Sequence, residues 1–248
     1  MPVRREFPPR SLNAEALNEG RVDPQYTRVL IRLLAAHAMA EKLTALGYQR
    51  ALAALDNPDL RPIVEKNFQE EKKHARLIYH ALQELGISQQ AADRSMIMVL
   101  KAPSFDAPSY FASKAEGELD LLMASLSLDT TGLIMIGENY KESSYTPHAR
   151  AAEIILDEEA DHEIFASRQL GDAVEKFGAK SVNTALRRWI PRAVNFFGPP
   201  GTGFTYDCLR YGLKSRDNEE LAELYLTMLS RRCDQLGLEL PVLTATYP

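Results

Sequence analysis

The sequence predicts an all-α protein: a four-helix bundle with a long crossover between its second and third helices and extra helices toward the C-terminal end. Three observations carry this. Apolar residues recur at spacings of three and four through most of the 248 residues. No stretch longer than a few residues alternates with the period of a strand. Turn signals separate the periodic segments, at 56–59, Gly86, 142–147 and 198–201.

The elements follow in order. Residues 1–23 include Pro2, Pro8 and Pro9 and lack periodicity. They are expected to form an extended arm, ordered where it docks, ahead of a single helical domain over 24–248. From Pro24 to Leu55 the stripe Leu30, Leu33, Leu34, His37, Glu41, Ala45, Tyr48 marks the first bundle helix. The turn Asp56-Asn57-Pro58-Asp59 offers Asn57 or Asp59 as a cap for the second, with Pro62 in its first turn. That helix carries Val64, Phe68, Glu71, His74, Ile78 and Leu82 on one stripe and stops at Gly86. Residues 87–111, broken by Pro103 and Pro108, suit a crossover with a short helix near 92–100. A third bundle helix is expected from Ser113 to Glu142, and a fourth from Pro147 to Phe177 with stripe Ile154, Ile155, Glu159, His162, Phe165, Ala166. A fifth helix over 182–197 ends at Gly198-Pro199-Pro200-Gly201, and a last one covers Asn218 to Gly237.

Composition narrows the functions. The net charge is −5 and no basic block interleaves with aromatics, which argues against nucleic acid as a partner. Cys208 and Cys233 lack a partner at metal-ligand spacing and read as reduced thiols, which suits a cytoplasmic protein. The first residues hold no apolar run of a secretory signal, and no segment approaches the ~20 apolar residues of a membrane span. The Gly198–Gly203 run lacks the Gly-Lys-Ser/Thr of a phosphate loop and reads as a rigid turn.

The chemistry lies in a run that occurs twice, Glu70-Glu71-Lys72-Lys73-His74 and Glu158-Glu159-Ala160-Asp161-His162. A Glu and a His three residues apart sit one turn apart on one helix face. One such match is near what chance gives, and Glu and His are common on wet faces. Both matches, however, lie on apolar stripes, where an unpaired carboxylate is costly and needs a cation or a hydrogen-bond donor. Glu41 lies 15 residues before Asp56 and Glu71 12 residues after Asp59, so the two stand at similar heights in an antiparallel pair. Glu159 lies 12 residues past Pro147, so its partner on the third helix falls at Asp129 or Thr130. Only Asp129 has a carboxylate, and it shares a face with Leu122, Leu126, Leu133 and Ile136. Glu138 misses that level by roughly 12 Å.

The candidate set is Glu41, Glu71, His74, Asp129, Glu159 and His162. Four carboxylates and two imidazoles suit two iron ions, with manganese as the alternative. This is the ligand pattern of ferritin-like di-metal bundles, with Asp in place of Glu on the third helix. Glu70 and Glu158 read equally as surface charge or as acceptors that fix a ligand histidine. His37 faces inward one turn before Glu41, more as a core histidine than as a ligand. His80 and His148 read as surface residues.

Residues spread along the chain carry a family resemblance. Tyr26, Leu30-Ile31-Arg32, His37-Ala38 and Glu41 form one group, and Gln69-Glu70-Glu71 with His74 a second. Ser144-Tyr145, Pro147, Ala149-Arg150, Glu158-Glu159 and His162 follow, then Trp189, Pro191 and Phe197-Gly198-Pro199. Asn218-Glu219-Glu220-Leu221 and Gln235-Leu236-Gly237-Leu238 with Pro241 close the series. Over about residues 24–241 the chain resembles the catalytic subunits of bacterial phenylacetyl-CoA 1,2-epoxidases, ferritin-like di-iron monooxygenases of the phenylacetic acid catabolic family. It departs in stopping soon after Pro241, where those subunits continue, and in a one-residue slip on the third helix. There the family's aspartate aligns nearer Thr130 than Asp129, so either a one-residue adjustment such as a π-bulge restores the ligand or the site has a weaker fourth carboxylate. The resemblance implies a monooxygenase that takes O2 and an aromatic acyl-CoA, with electrons from an external reductase. It also implies a possible second ferritin-like subunit or a homo-oligomer. The other readings are a non-catalytic, metal-binding or structural ferritin-like subunit, and a different iron or manganese enzyme of the same fold.

Overall fold

A computed structural model describes residues 3–55, 57–100, 115 and 117–241. Among them are nine α-helices and one 3-10 turn, and the only β pairing is an isolated bridge between Leu12 and Tyr145. The helices are α1 (Ala14–Asn18), α2 (Pro24–Ala54), α3 (Arg61–Gln83), α4 (Gln89–Leu100), α5 (Glu118–Glu138), α6 (Thr146–Phe177), α7 (Ala179–Phe196), α8 (Gly203–Arg210) and α9 (Asn218–Gln235). The start expected for the third bundle helix at Ser113, and the crossover's Pro103 and Pro108, lie outside the described residues.

α2 pairs with α3 and α5 with α6, and the two pairs meet along α3 and α6. α4 packs on α2 and α3, α8 on α2, and α7 and α9 on α5. Two apolar cores fill the bundle. One gathers Leu30, Leu34, Ile78, Leu82 and Ile155 with α8, and the other Leu52, Leu126, Leu170, Trp189 and Tyr225. Along α2, α3 and α6 the boundary between these cores falls at Glu41, Glu71–His74 and Glu159–His162, so a polar layer crosses an otherwise apolar interior. Each fully buried Leu or Ile in the cores contributes roughly 1.5–3 kcal/mol, and this is what holds the charged layer together.

Several local expectations are corrected. The second bundle helix has no side-chain cap: Leu60 stands at its N-cap, and Asn57 Oδ1 instead accepts the Asp59 N–H at 3.0 Å. The third ends at Glu138 rather than Glu142, because the chain breaks into a 3-10 turn at Tyr140–Glu142. There Asn139 Oδ1 accepts the N–H groups of Ser215 and Arg216. α7 begins at Ala179, directly after the positive-φ Gly178, and α9 ends at Gln235, ahead of the positive-φ Gly237. Two short helices were unforeseen: α1, capped by Asn13, and α8, capped by Thr202. α5 with its 3-10 turn is, by length and composition, long and apolar enough to cross a membrane, contrary to the sequence expectation. Here it packs against α6, α7 and α9.

The N-terminal arm docks. The Arg10 and Leu12 N–H groups donate to the Ser143 and Ser144 carbonyls at 2.9 Å, and Glu6 N–H donates to Arg210 O at 2.7 Å. Phe7 lies edge-on to Tyr26, with ring centroids 5.3 Å apart. Gly212 has φ +71°, and a Cβ there would stand 2.6 Å from the Phe7 carbonyl, so only glycine lets the arm lie down.

Candidate metal centre

The polar layer is assembled from four helices. Glu41, Glu71, His74 and Glu159 are all buried and offer ligand atoms within 4.8 Å of one another. His74 Nδ1 lies 3.5 Å from Glu41 Oε2, 3.5 Å from Glu159 Oε1 and 3.9 Å from Glu71 Oε2. His162 Nδ1 lies 3.6 Å from Glu71 Oε1 and 4.0 Å from Glu159 Oε1. Glu71 thus spans the two imidazoles with one oxygen toward each. At these distances neither Nδ1 makes a hydrogen bond, and both are buried without a partner. Buried polar atoms left this way are rare and call for an explanation.

The far side of each ring is, by contrast, fully engaged. His74 Nε2 lies 2.9 Å from Glu158 and His162 Nε2 2.9 Å from Glu70. The pattern is crossed: the extra acid of α3 serves the histidine of α6, and that of α6 serves the histidine of α3. Lys73 pairs with the same Glu158, and Lys66 lies 3.4 Å from Glu70. A carboxylate can only accept, so each Nε2 carries a proton and each Nδ1 is the ring nitrogen that faces inward. Of the two readings open for Glu70 and Glu158, the hydrogen-bonding one holds.

Asp129 is 2 % exposed, on an unbroken α5. Its Oδ1 accepts from the Tyr48 hydroxyl at 2.8 Å, and its Oδ2 has no partner. Tyr48 in turn takes the Asn67 amide at 3.4 Å. Thr130 faces elsewhere, accepting from Arg232 at 3.2 Å, and Glu138 pairs with Arg216 outside the cluster. One turn past Asp129, Gly132 gives Glu159 its room: a Cβ there would stand 2.6 Å from Glu159 Oε2.

The charges frustrate one another. Burial, then Glu159 and Glu41, drive Glu71 well above the usual carboxylate range. Burial pushes Asp129 up to about 7. Burial also acts against Glu41, but His37 and His74 outweigh it and hold that acid low. For His74, burial works against the charge, yet Glu159 and Glu41 raise the imidazole to about 10. Glu159 and Glu41 thus draw a proton onto His74 in the metal-free chain, one that a bound cation would displace. A cluster of hard oxygens with two inward imidazole nitrogens fits divalent or trivalent cations, and Fe or Mn above thiolate-seeking metals.

Beside the layer, a cavity of about 450 Å³ opens between α2 and α5. Leu43, Leu46, Leu55, Leu121 and Leu128 line it, and Tyr48, the Asp129 donor, is part of its wall. Sequence reading passed over four contributors: Tyr48, Asn67, Gly132 and His148. His148 was expected at the surface and is fully buried, with Nε2 3.0 Å from His37 Nδ1. Its signal was present, since His148, Ala152, Ile155 and Glu159 follow the spacing of one inward face.

An all-α bundle with a carboxylate–histidine layer between its helix pairs defines the ferritin-like class of proteins. Within that class the chain belongs to the phenylacetic acid catabolic protein family, whose sequence profile matches residues 18–247. Among solved structures it is similar to Protein 19 with aldehyde deformylating oxidase activity from Synechococcus. The TM-score is 0.66 at 15% identity, over 88% of this chain and 93% of that one, a likeness of fold alone. No curated protein matches.

Proposed function

We propose that Glu41, Glu71, His74, Asp129, Glu159 and His162 hold two iron ions, and that the protein is a monooxygenase acting on an aromatic acyl-CoA such as phenylacetyl-CoA. The observation that carries the metal reading is the pair of buried, unpartnered Nδ1 atoms turned toward buried carboxylates. The ions, when bound, supply the activation of O2 that no side chain can provide. The chain's own residues do the rest. Glu71 faces both imidazoles, Glu41 and Asp129 stand at the two flanks, and Glu158 and Glu70 fix the histidine tautomers. The apolar cavity beside Tyr48 suits the ring or chain of a substrate and keeps water from it.

Family membership favours an aromatic acyl-CoA thioester as substrate and a cytoplasmic complex with a reductase and a second ferritin-like subunit. The test begins with metal content. About two Fe per chain are expected in the wild type, with nearly all lost in Glu71→Ala and Glu159→Ala and about one lost in Asp129→Ala. A wild-type chain produced with ample iron and purified metal-free would sink the proposal, as would a full load in Glu71→Ala. Two Mn per chain would move the reading to a manganese enzyme. Oxygen uptake with a reductase and a series of acyl-CoAs and aldehydes then identifies the substrate. Iron without any turnover would mark a non-catalytic subunit.

A further inference from the structure

Glu41 differs from the other acids in how its oxygens are divided. Oε2 faces His74, while Oε1 lies 2.8 Å from His37 Nε2. Behind His37 a chain of buried groups continues. His37 Nδ1 meets His148 Nε2 at 3.0 Å, and His148 Nδ1 meets Ser143 Oγ at 3.4 Å. Ser143 Oγ also accepts the Tyr145 N–H at 3.4 Å. With both rings uncharged the chain has one consistent sense. Glu41 can only accept, so His37 donates from Nε2 and accepts at Nδ1 from His148, which accepts from the Ser143 hydroxyl. All four ring nitrogens are used. The Tyr140 ring lies against both imidazoles, with centroids 4.7 and 4.8 Å away.

Among the described residues Asp129 is held by one phenol, that of Tyr48, with the Asn67 amide and no imidazole behind it. A pair of histidines kept only to fill the core would be a costly filler, since two well-packed apolar residues would serve there without polar atoms to satisfy. We infer that His37 and His148, closed by Ser143, are positioning residues that confine Glu41 to binding through Oε2. They thereby make the ion position beside His74 different from the one beside His162. The inference rests on the two-metal reading above and adds to it that the two positions are unequal.

The test is titration of the metal-free protein with Co²⁺, followed by visible absorption, whose band intensity falls as coordination number rises. Wild type is expected to bind two ions in two resolvable steps. In His37→Ala the freed Oε1 joins the nearby ion. One step then changes affinity by about 10–100-fold with weaker bands, while the other stays within about twofold. His37→Gln, whose amide N–H reaches the same oxygen, restores the wild-type pattern. Ser143→Ala removes the last donor without adding volume, and it moves the same step by less; it also stands in should His37→Ala fail to fold. The inference is overturned if His37→Ala titrates and absorbs like wild type. It is equally overturned if both steps weaken together with a lower melting temperature and no rescue by Gln. A wild type that binds no Co²⁺ refutes the metal reading itself, an outcome visible in that arm alone.

Discussion

The two halves of the bundle carry the same equipment on different supports. α2 and α3 bring Glu41 and a Glu-x-x-His; α5 and α6 bring Asp129 and a second one. In the first half the lone acid is held through two imidazoles and a serine. In the second it is held by a tyrosine that belongs to the first half, and α5 pinches against Glu159 at Gly132. The candidate ligands thus repeat the Glu-x-x-His while the supports do not repeat. A symmetric first layer on asymmetric backing is a way to make two ions with similar ligands behave differently.

The strongest way to break the comparison is a methyl group placed in each half. Gly132→Ala puts carbon 2.6 Å from Glu159 Oε2 and must displace that carboxylate. Metal affinity is expected to fall by about 100-fold, read by titration. Gly47→Ala on α2 meets nothing within 4 Å. It should bind metal normally and melt slightly higher, by about 0.5–1 kcal/mol of helix stability. Normal metal binding in Gly132→Ala would show that the pinch is harmless.

The crossed acids give a smaller effect. Glu70→Gln and Glu158→Gln each leave a histidine with a weaker acceptor, and about 10–100-fold in metal affinity should go with either. The halves differ here too. Glu158 also pairs with Lys73, so its loss frees a charge that Glu70, with Lys66 at longer range, does not leave to the same degree. Equal, unperturbed binding in both variants would demote these acids to surface charge.

Tyr48→Phe should do least. Burial raises Asp129 to about 7 in the metal-free chain, while His162 and the Tyr48 hydrogen bond pull it back. A metal needs the ionised acid. Apparent affinity from this group therefore climbs with pH until about 7 and levels above it. The sign for stability is the reverse. A carboxyl raised on folding stabilises the metal-free fold below its unfolded value, and that contribution is lost as pH rises through about 7. Without the phenol both inflections move to higher pH. Inflections that stay put would mean that Tyr48 does not reach the titrating oxygen.

How much of this was legible follows from the range of each interaction. Periodicity marked the bundle helices because a helix writes its buried face into its own sequence every three or four residues. Counting outward from two turns pointed to Asp129, which is buried, over Glu138, which pairs with Arg216, because rise per residue fixes height across an antiparallel pair. His148 was misread as a surface residue, although its spacing to Glu159 was that of an inward face. Its partner, His37, lies 111 positions away and no local pattern connects them. Gly132 was invisible for a similar reason: an absent side chain signals nothing until the opposing carboxylate is known. The capping choice at 57–59 failed because several short polar residues compete within one turn, and geometry selects among them.

The crossed hydrogen bonds carry a consequence for how the protein is made. Neither half can finish its own histidine. His74 on α3 waits for Glu158, and His162 on α6 waits for Glu70. A half-formed chain, with α2 and α3 paired and α6 still undocked, holds a Glu-x-x-His whose imidazole is free to turn and choose either nitrogen. Docking of α6 locks both tautomers in one event, and a slip of one residue along either helix would undo both together. The exchange of acids between helices therefore ties the orientation of each imidazole to the register of both helices.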